Sequence, residues 1–209
     1  MKLICISDTH GKHSDVKLTP ADMIIHAGDM SEMGTKEQIQ DFIDWFSSLD
    51  YRYKILVAGN HDFFFEQATS KEIRKMIPKG VIYLCDSGVE IEGVKFWGSP
   101  VQPWYHNWAF NKSVKTISKH WNEIPNDTDI LITHVPPQSI LDKNRRDELC
   151  GCPQLTPRVK EVKPRYHIFG HIHESYGVLE SDGVIYMNCS SLNNLYEYQN
   201  EPILIDLDF

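Results

Sequence analysis

Five short apolar runs in this chain each stop at a residue type that binds metal ions. Residues 2–7 run into Asp8, 22–27 into Gly28-Asp29, and 53–58 into Gly59-Asn60. Residues 129–133 end at His134, and 166–169 end at Gly170-His171. Near-continuous apolar runs of this length suit strands buried on both faces. In an open α/β sheet, ligands gather where strands end at their carboxyl side. Loops far apart in sequence can therefore meet at one point.

Helical patterns lie between some of these runs. Thr35-Lys-Glu-Gln38 has the form of a capping box, and Ile39, Phe42, Ile43 and Phe46 then recur at helical spacing, which predicts a helix over 35–49. Thr69-Ser-Lys-Glu72 opens a second, shorter helix; others are expected over 113–122 and 153–162. Residues 81–98 alternate and carry Gly88 and Gly93, which reads as a meander of antiparallel strands; 176–188 and 202–208 look similar. The expected class is α/β with a second, more antiparallel sheet, in one domain spanning 1–209. No internal repeat or low-complexity linker interrupts the chain.

Composition removes several function classes. The 209 residues carry a net charge of −8, so the chain has no excess of Lys and Arg with which to track a long polyanion, and no strong nucleic-acid surface is expected. No apolar run reaches the ~20 residues of a membrane span, and the start of the chain lacks the core of an export signal. Five scattered cysteines read as reduced thiols, including Cys150 and Cys152, so the expectation is a soluble, cytoplasmic protein.

The strand-end segments are Asp8-Thr-His10, Gly28-Asp29, Gly59-Asn-His-Asp62, Thr133-His134 and Gly170-His-Ile-His173. Asp8 and His10 are two apart, as are His171 and His173; in extended chain each pair would leave the same face. Asp8, His10, Asp29, Asn60, His134, His171 and His173 offer two carboxylates, one amide and four imidazoles. That mixture suits Mn, Fe, Zn or Co better than Ca or Mg. Seven donors are too many for one tetrahedral ion and suit two ions sharing a carboxylate. Gly28, Gly59 and Gly170 precede donors, where the chain must turn or approach closely. Taken singly, each segment has a structural reading: Asp8 as a cap, Asp29 and Asn60 as turn residues, His134 as a hydrogen-bonded strand end. All five in order, each after a strand, favour a metal site.

These segments resemble the calcineurin-like metallophosphoesterase signature, D-x-H, G-D, G-N-H-[DE], a lone H and G-H-x-H, across residues 8–173. Within that superfamily the chain resembles the metallophosphoesterase-domain-containing type. The resemblance is carried by Asp22–Asp29, Ala58–His61, Pro103–Asn111, Thr133–Pro137 and Phe169–Glu174. Some animal relatives have Gly in place of His171; this chain keeps the histidine. It lacks the longer G-D-x-x-D-R-G form, since Met30-Ser31-Glu32 follow Asp29, so calcineurin-type protein phosphatases match poorly.

The resemblance implies two packed mixed β-sheets flanked by helices, a four-layer α/β/β/α sandwich. It implies two divalent or trivalent metal ions, manganese first, with iron, zinc or cobalt as alternatives. Asp8, His10 and His173 would hold one ion, Asn60, His134 and His171 the other, and Asp29 both. A bridging hydroxide between the metals would attack phosphorus, and His61 would stabilise charge or protonate the leaving oxygen. Asp62 joins the catalytic group as a residue that orients His61, or else caps a turn. The implied function is a phosphodiesterase on small nucleotide-type substrates such as cyclic nucleotides. Alternatives are a nuclease, a phosphomonoesterase, or a non-catalytic scaffold that retains the site.

Other candidates rest on less. Trp104 and His106 sit in an aromatic segment that could line a substrate pocket. Arg145 and Arg146 follow His134 in a charged loop and could contact phosphate. His26 reads as a satisfied core histidine, and His13, His120 and His167 as ordinary residues. A homodimer is compatible with the sequence.

Overall fold

The computed structural model describes residues 1–207. In chain order the strands and helices are β1 (Lys2–Ile6), β2 (Met23–Ala27), α1 (Lys36–Ser48), β3 (Tyr53–Val57), α2 (Phe63–Gln67), α3 (Ser70–Met76), β4 (Val81–Tyr83), β5 (Ser87–Ile91), β6 (Val94–Ser99), β7 (Gln102–Pro103), β8 (Asn111–Lys112), α4 (Val114–Asn122), β9 (Ile130–Thr133), α5 (Leu155–Val162), β10 (Tyr166–Phe169), β11 (Gly177–Ser181), β12 (Val184–Asn188) and β13 (Ile203–Asp206).

The strands form a five-stranded sheet, ordered β13-β1-β2-β3-β4, and a six-stranded sheet, ordered β11-β12-β10-β9-β6-β5, with β7 and β8 as a small separate pair. Alternation along the central strands explains how the layers stack. Leu3, Cys5, Met23, Ile25, Ile55 and Val57 of the first sheet share one core with Phe96, Ile130, Ile132, Ile168 and Met187 of the second. The opposite faces of the same strands pack on helices: Ile4, Ile24 and Leu56 against Phe42, Ile43 and Phe46 of α1. Leu131 and Phe169 pack against Trp121 of α4 and Leu155 and Val159 of α5. The result is the four-layer α/β/β/α sandwich that the resemblance implied, with both sheets mixed.

The expected helices form with shifted ends. Thr35 caps α1, its hydroxyl accepting from the Gln38 amide, and Thr69 completes a reciprocal capping box with Glu72 on α3. The meander expected over 81–98 is divided between the sheets. Val81–Tyr83 joins the first sheet parallel to β3, and only β5 and β6 pair antiparallel. Three residues are too few for alternation to reveal strand direction. The terminal strand runs over Ile203–Asp206, antiparallel to β1; of the expected 202–208, residue 208 lies outside the described residues. Among the described residues, no helix is long and apolar enough to cross a membrane.

Candidate metal centre

Strands β1, β2 and β3 are mutually parallel, as are β9, β10 and β12, so their carboxyl ends open toward one region. The loops that follow are tied to each other by backbone hydrogen bonds. The Asp8 amide donates to the Gly28 carbonyl at 2.9 Å, His10 to Asp29 at 3.0 Å, and Gly170 to His134 at 3.0 Å. The three glycines make the convergence sterically feasible. A Cβ on Gly28 would lie 2.4 Å from His134 Nδ1, on Gly59 2.2 Å from Asp29 Oδ1, and on Gly170 2.0 Å from Asp8 Oδ2.

Asp8, His10, Asp29 and His171 all have left-handed backbone, with φ of 52°, 41°, 55° and 70°. The extended geometry expected for Asp8–His10 and His171–His173 is therefore not what joins each pair; tight turns are. Non-glycine residues in this region are held there by their surroundings, a pattern typical of functional loops.

The structure brings all seven donors together in overlapping groups. Asp8, His10 and His173 form one, and Asp29, His134 and His171 another; ligand atoms within each lie within 4.8 Å of one another, and a third group joins His10, Asp29 and His61. Asn60 enters beside His134, with Oδ1 2.9 Å from His134 Nε2. Asp29 sits between the groups. Its Oδ1 accepts from the His61 amide at 2.8 Å, while Oδ2 lies 3.7 Å from His10 Nε2 and 3.3 Å from His134 Nε2.

The surroundings select which atoms face inward. His134 Nδ1 pairs with the Ala27 carbonyl at 3.0 Å and His173 Nδ1 with the Asn193 carbonyl at 3.0 Å. Each carbonyl can only accept, so Nδ1 carries a proton and Nε2 is the nitrogen that faces the site. Asp8 Oδ2 accepts from the Ser7 and Ser190 hydroxyls at 2.6 and 2.8 Å, and the His171 amide donates to the same carboxylate.

Electrostatics run the same way. Burial lowers the imidazole pKa of His10 to about 4 and of His171 to about 3. At His134 burial pulls the same way, but the Asp29 carboxylate outweighs it and lifts the ring to about 9; at His173 the hydrogen bond and charge of Asp8 do so, also to about 9. Burial opposes ionisation of Asp29 and Asp8, yet His134 and His173 hold these carboxyls well below the usual range. The site thus draws positive charge inward, and cations compete with protons for it.

A pair of metal ions fits these residues. Both ring nitrogens of His10 are buried with no hydrogen-bond partner among the described residues. His134 Nε2 and Asn60 Oδ1, 2.9 Å apart, are spaced as two ligands of one ion are, since bonds of ~2.1 Å at right angles put donors about 3 Å apart.

His61 and Asp62 have different surroundings. His61 Nδ1 pairs with the Glu32 carbonyl at 2.7 Å, and its ring packs on Trp108 and edge-on to His10, with centroids 4.2 and 4.6 Å apart. Asp62 does not hold the His61 ring. Its buried carboxylate accepts from the Ser31 amide and hydroxyl (3.1 and 2.8 Å), the Gly59 amide (2.7 Å) and the Met30 amide (3.3 Å). That geometry matches the turn-holding alternative, fastening the loops after β2 and β3. Burial first, and the nearby Asp29 charge second, raise its pKa to about 6.

His10, Asp29, Asn60, His171 and His173 form the floor of a cavity of about 580 Å³, walled by Trp104, Tyr105, Trp108, Leu149 and Tyr196, while Asp8 and His134 are fully buried outside its lining. Trp104 lies where the sequence suggested. His106 is exposed, stacked edge-on against Tyr105, and lies outside the lining, as do exposed Arg145 and Arg146; their neighbours Asn144 and Glu148 do line it. Tyr196, Ser190 and Asn193 were not anticipated, because their segment has no apolar periodicity or motif. His26 is the satisfied core histidine expected: Nδ1 accepts from the Gly28 amide at 3.2 Å and Nε2 meets the Thr9 hydroxyl at 3.0 Å.

Residues 1–175 match the family model described as calcineurin-like phosphoesterase. Over 230 residues the chain is 37% identical to metallophosphoesterase domain-containing protein 1 of Homo sapiens, covering 99% of this chain and 71% of that protein. A UPF0046 protein of Caenorhabditis elegans is 36% identical over 216 residues, covering 98% of this chain and 74% of its own length. One solved crystal structure shares the fold with a TM-score of 0.66 at 17% identity, over 90% of this chain and 89% of the other.

Proposed function

Because the chain belongs to the calcineurin-like phosphoesterase family, we propose that it hydrolyses phosphodiester bonds of small nucleotide-type substrates, cyclic nucleotides among them, at a two-metal site. Asp8, His10 and His173 would hold one ion, Asn60, His134 and His171 the other, and Asp29 both. When bound, the ions neutralise phosphate charge and bring the pKa of water from 15.7 to about 7, within reach of attack on phosphorus.

The chain's own groups do the rest. No lysine or arginine lines the cavity among the described residues, so this protein of net charge −8 offers an anion no side-chain countercharge there except imidazolium. His61, fixed through Nδ1 on the Glu32 carbonyl, keeps its second ring nitrogen free for the leaving oxygen. Trp104, Tyr105 and Trp108 offer flat apolar faces of the kind on which a base stacks.

The observation that carries this reading is the gathering of the donors at the base of a cavity of about 580 Å³, five of them in its lining, a volume suited to a nucleotide-sized ligand. The test is hydrolysis of bis-p-nitrophenyl phosphate by manganese-loaded protein, beside p-nitrophenyl phosphate and a panel of cyclic nucleotides. Turnover of the diesters, lost in Asn60→Ala and His134→Ala, is expected. Full turnover in either variant would overturn the metal reading, and preference for the monoester would replace diesterase by phosphomonoesterase.

A further inference from the structure

The segment after β12 contributes a side chain to the cavity that no strand-end motif announces. Residues 192–198 fold into a tight hairpin, with Leu192 and Tyr198 bridged antiparallel. Asn193 organises it. Its Oδ1 accepts from the Leu195 and Glu197 amides at 2.8 and 3.0 Å, and its carbonyl accepts from the Tyr196 amide at 2.9 Å. The same carbonyl receives His173 Nδ1, so one residue both orients a candidate ligand and builds the hairpin.

The outcome of that construction is the position of Tyr196. Its backbone is left-handed, with φ of 59°, and the Lys12 ammonium donates to its carbonyl, fastening the hairpin to the loop after β1. The ring stands against His10 and His173, with centroids 4.9 and 5.2 Å away, at the edge of the Asp8–His10–His173 group. It lines the cavity and is 42% exposed, and its hydroxyl has no hydrogen-bond partner among the described residues. The hydroxyls of Tyr51, Tyr53, Tyr176 and Tyr198 meet protein acceptors, and that of Tyr83 is buried without a partner but outside the cavity lining.

We infer that Tyr196 is a substrate-contacting residue whose hydroxyl donates a hydrogen bond to a non-bridging oxygen of the phosphate group. The inference deepens the phosphoesterase reading and rests on it for the identity of the ligand. A donor here is chemically apt: among the described residues no lysine or arginine lines the cavity, and its floor includes the Asp29 carboxylate, which repels an anion. A phenol adds a directed donor without adding charge. It stands beside His10 and His173, and His61 packs on the same His10 ring, with centroids 4.6 Å apart.

Tyr196→Phe isolates the hydroxyl, since the ring contacts remain and no protein hydrogen bond is lost. Inorganic phosphate is titrated calorimetrically into manganese-loaded wild-type and variant protein, with metal content and thermal midpoint measured on both. Loss of one hydrogen bond to a charged group should weaken phosphate binding about 10-fold, and lower kcat/KM on bis-p-nitrophenyl phosphate by a similar factor, with metal content and midpoint unchanged. A variant that binds phosphate within twofold of wild type would overturn the inference, as would wild-type protein that binds none. If phosphate binding weakens as expected but no ester is hydrolysed by wild type, the functional reading falls and the assignment of Tyr196 stands.

Discussion

Adding a single methyl group at Gly170 should damage the site and the fold together. Gly170 has ordinary backbone, so alanine there meets no conformational penalty from a left-handed φ. The obstacle is space: its Cβ would fall 2.0 Å from both Asp8 Oδ2 and Ser7 Oγ. Neither atom is the loose end of a flexible side chain. Asp8 is fully buried and held by Ser7, Ser190 and the His171 amide. Overpacking a tight interior costs roughly 1–3 kcal/mol. Separating Ser7 from the Asp8 carboxylate adds the loss of a hydrogen bond to a charged group, about 1.5–3 kcal/mol. Gly170→Ala should therefore lose ~3–5 kcal/mol in urea unfolding, and bind manganese at least ~10-fold more weakly because an outer partner of a candidate ligand has moved. Gly93→Ala is the control. It has φ of 83° and open space around it, so it should lose only the backbone term of about 1–2 kcal/mol and keep its metal affinity. If Gly170→Ala unfolded at the wild-type midpoint with unaltered manganese affinity, the packing argument for the strand-end glycines would be wrong.

Asp62→Asn should destabilise the protein by about 2–4 kcal/mol, because an amide nitrogen replaces an acceptor that faces backbone amides from two loops, and each unpaired group costs ~1–3 kcal/mol. The pH profile of its remaining activity should keep the wild-type shape; a missing limb would instead make Asp62 a proton-transfer group. Buried His167, whose Nε2 meets the Thr133 hydroxyl, has its pKa pushed down to about 3 by burial. A depressed folded pKa gives stability that is complete above the unfolded value near 6.5 and is lost as pH falls below it. From pH 7 to pH 5 the loss from this ring is about 2 kcal/mol. His167→Gln should shrink the pH 7-to-5 difference in unfolding free energy by that amount, and an unchanged difference would refute the assignment.

What could be read from the sequence follows from how strongly each feature is repeated along the chain. Strands β1, β2, β3, β9 and β10 are apolar through their length and end abruptly, so both their existence and the alignment of Asp8, Asp29, Asn60, His134 and His171 were legible. Strand β4 was assigned to the wrong partner because pairing is a long-range property that three residues cannot encode locally. The five-residue helix α2, enclosing Phe63–Gln67, is too short for a helical period to show. The turn geometry at Asp8 and His10 was misjudged for a related reason: a positive φ at a non-glycine residue is imposed by the neighbouring loops, here the Gly28 and Asp29 carbonyls. Proximity in sequence to His134 suggested Arg145 and Arg146, yet the intervening loop turns back on itself through Asn144 and Glu148 and leaves both arginines exposed outside the cavity. Tyr196 and Asn193 sit in a polar, aperiodic hairpin whose meaning comes only from where β12 delivers it.

The central claim, that these seven side chains hold a pair of ions, is tested most directly by anomalous diffraction from crystals of manganese-loaded protein collected at the manganese edge. Two peaks are expected per chain, one among Asp8, His10 and His173 and one among Asn60, His134 and His171, with Asp29 between them. No peak, or peaks only elsewhere on the molecule, would contradict the account.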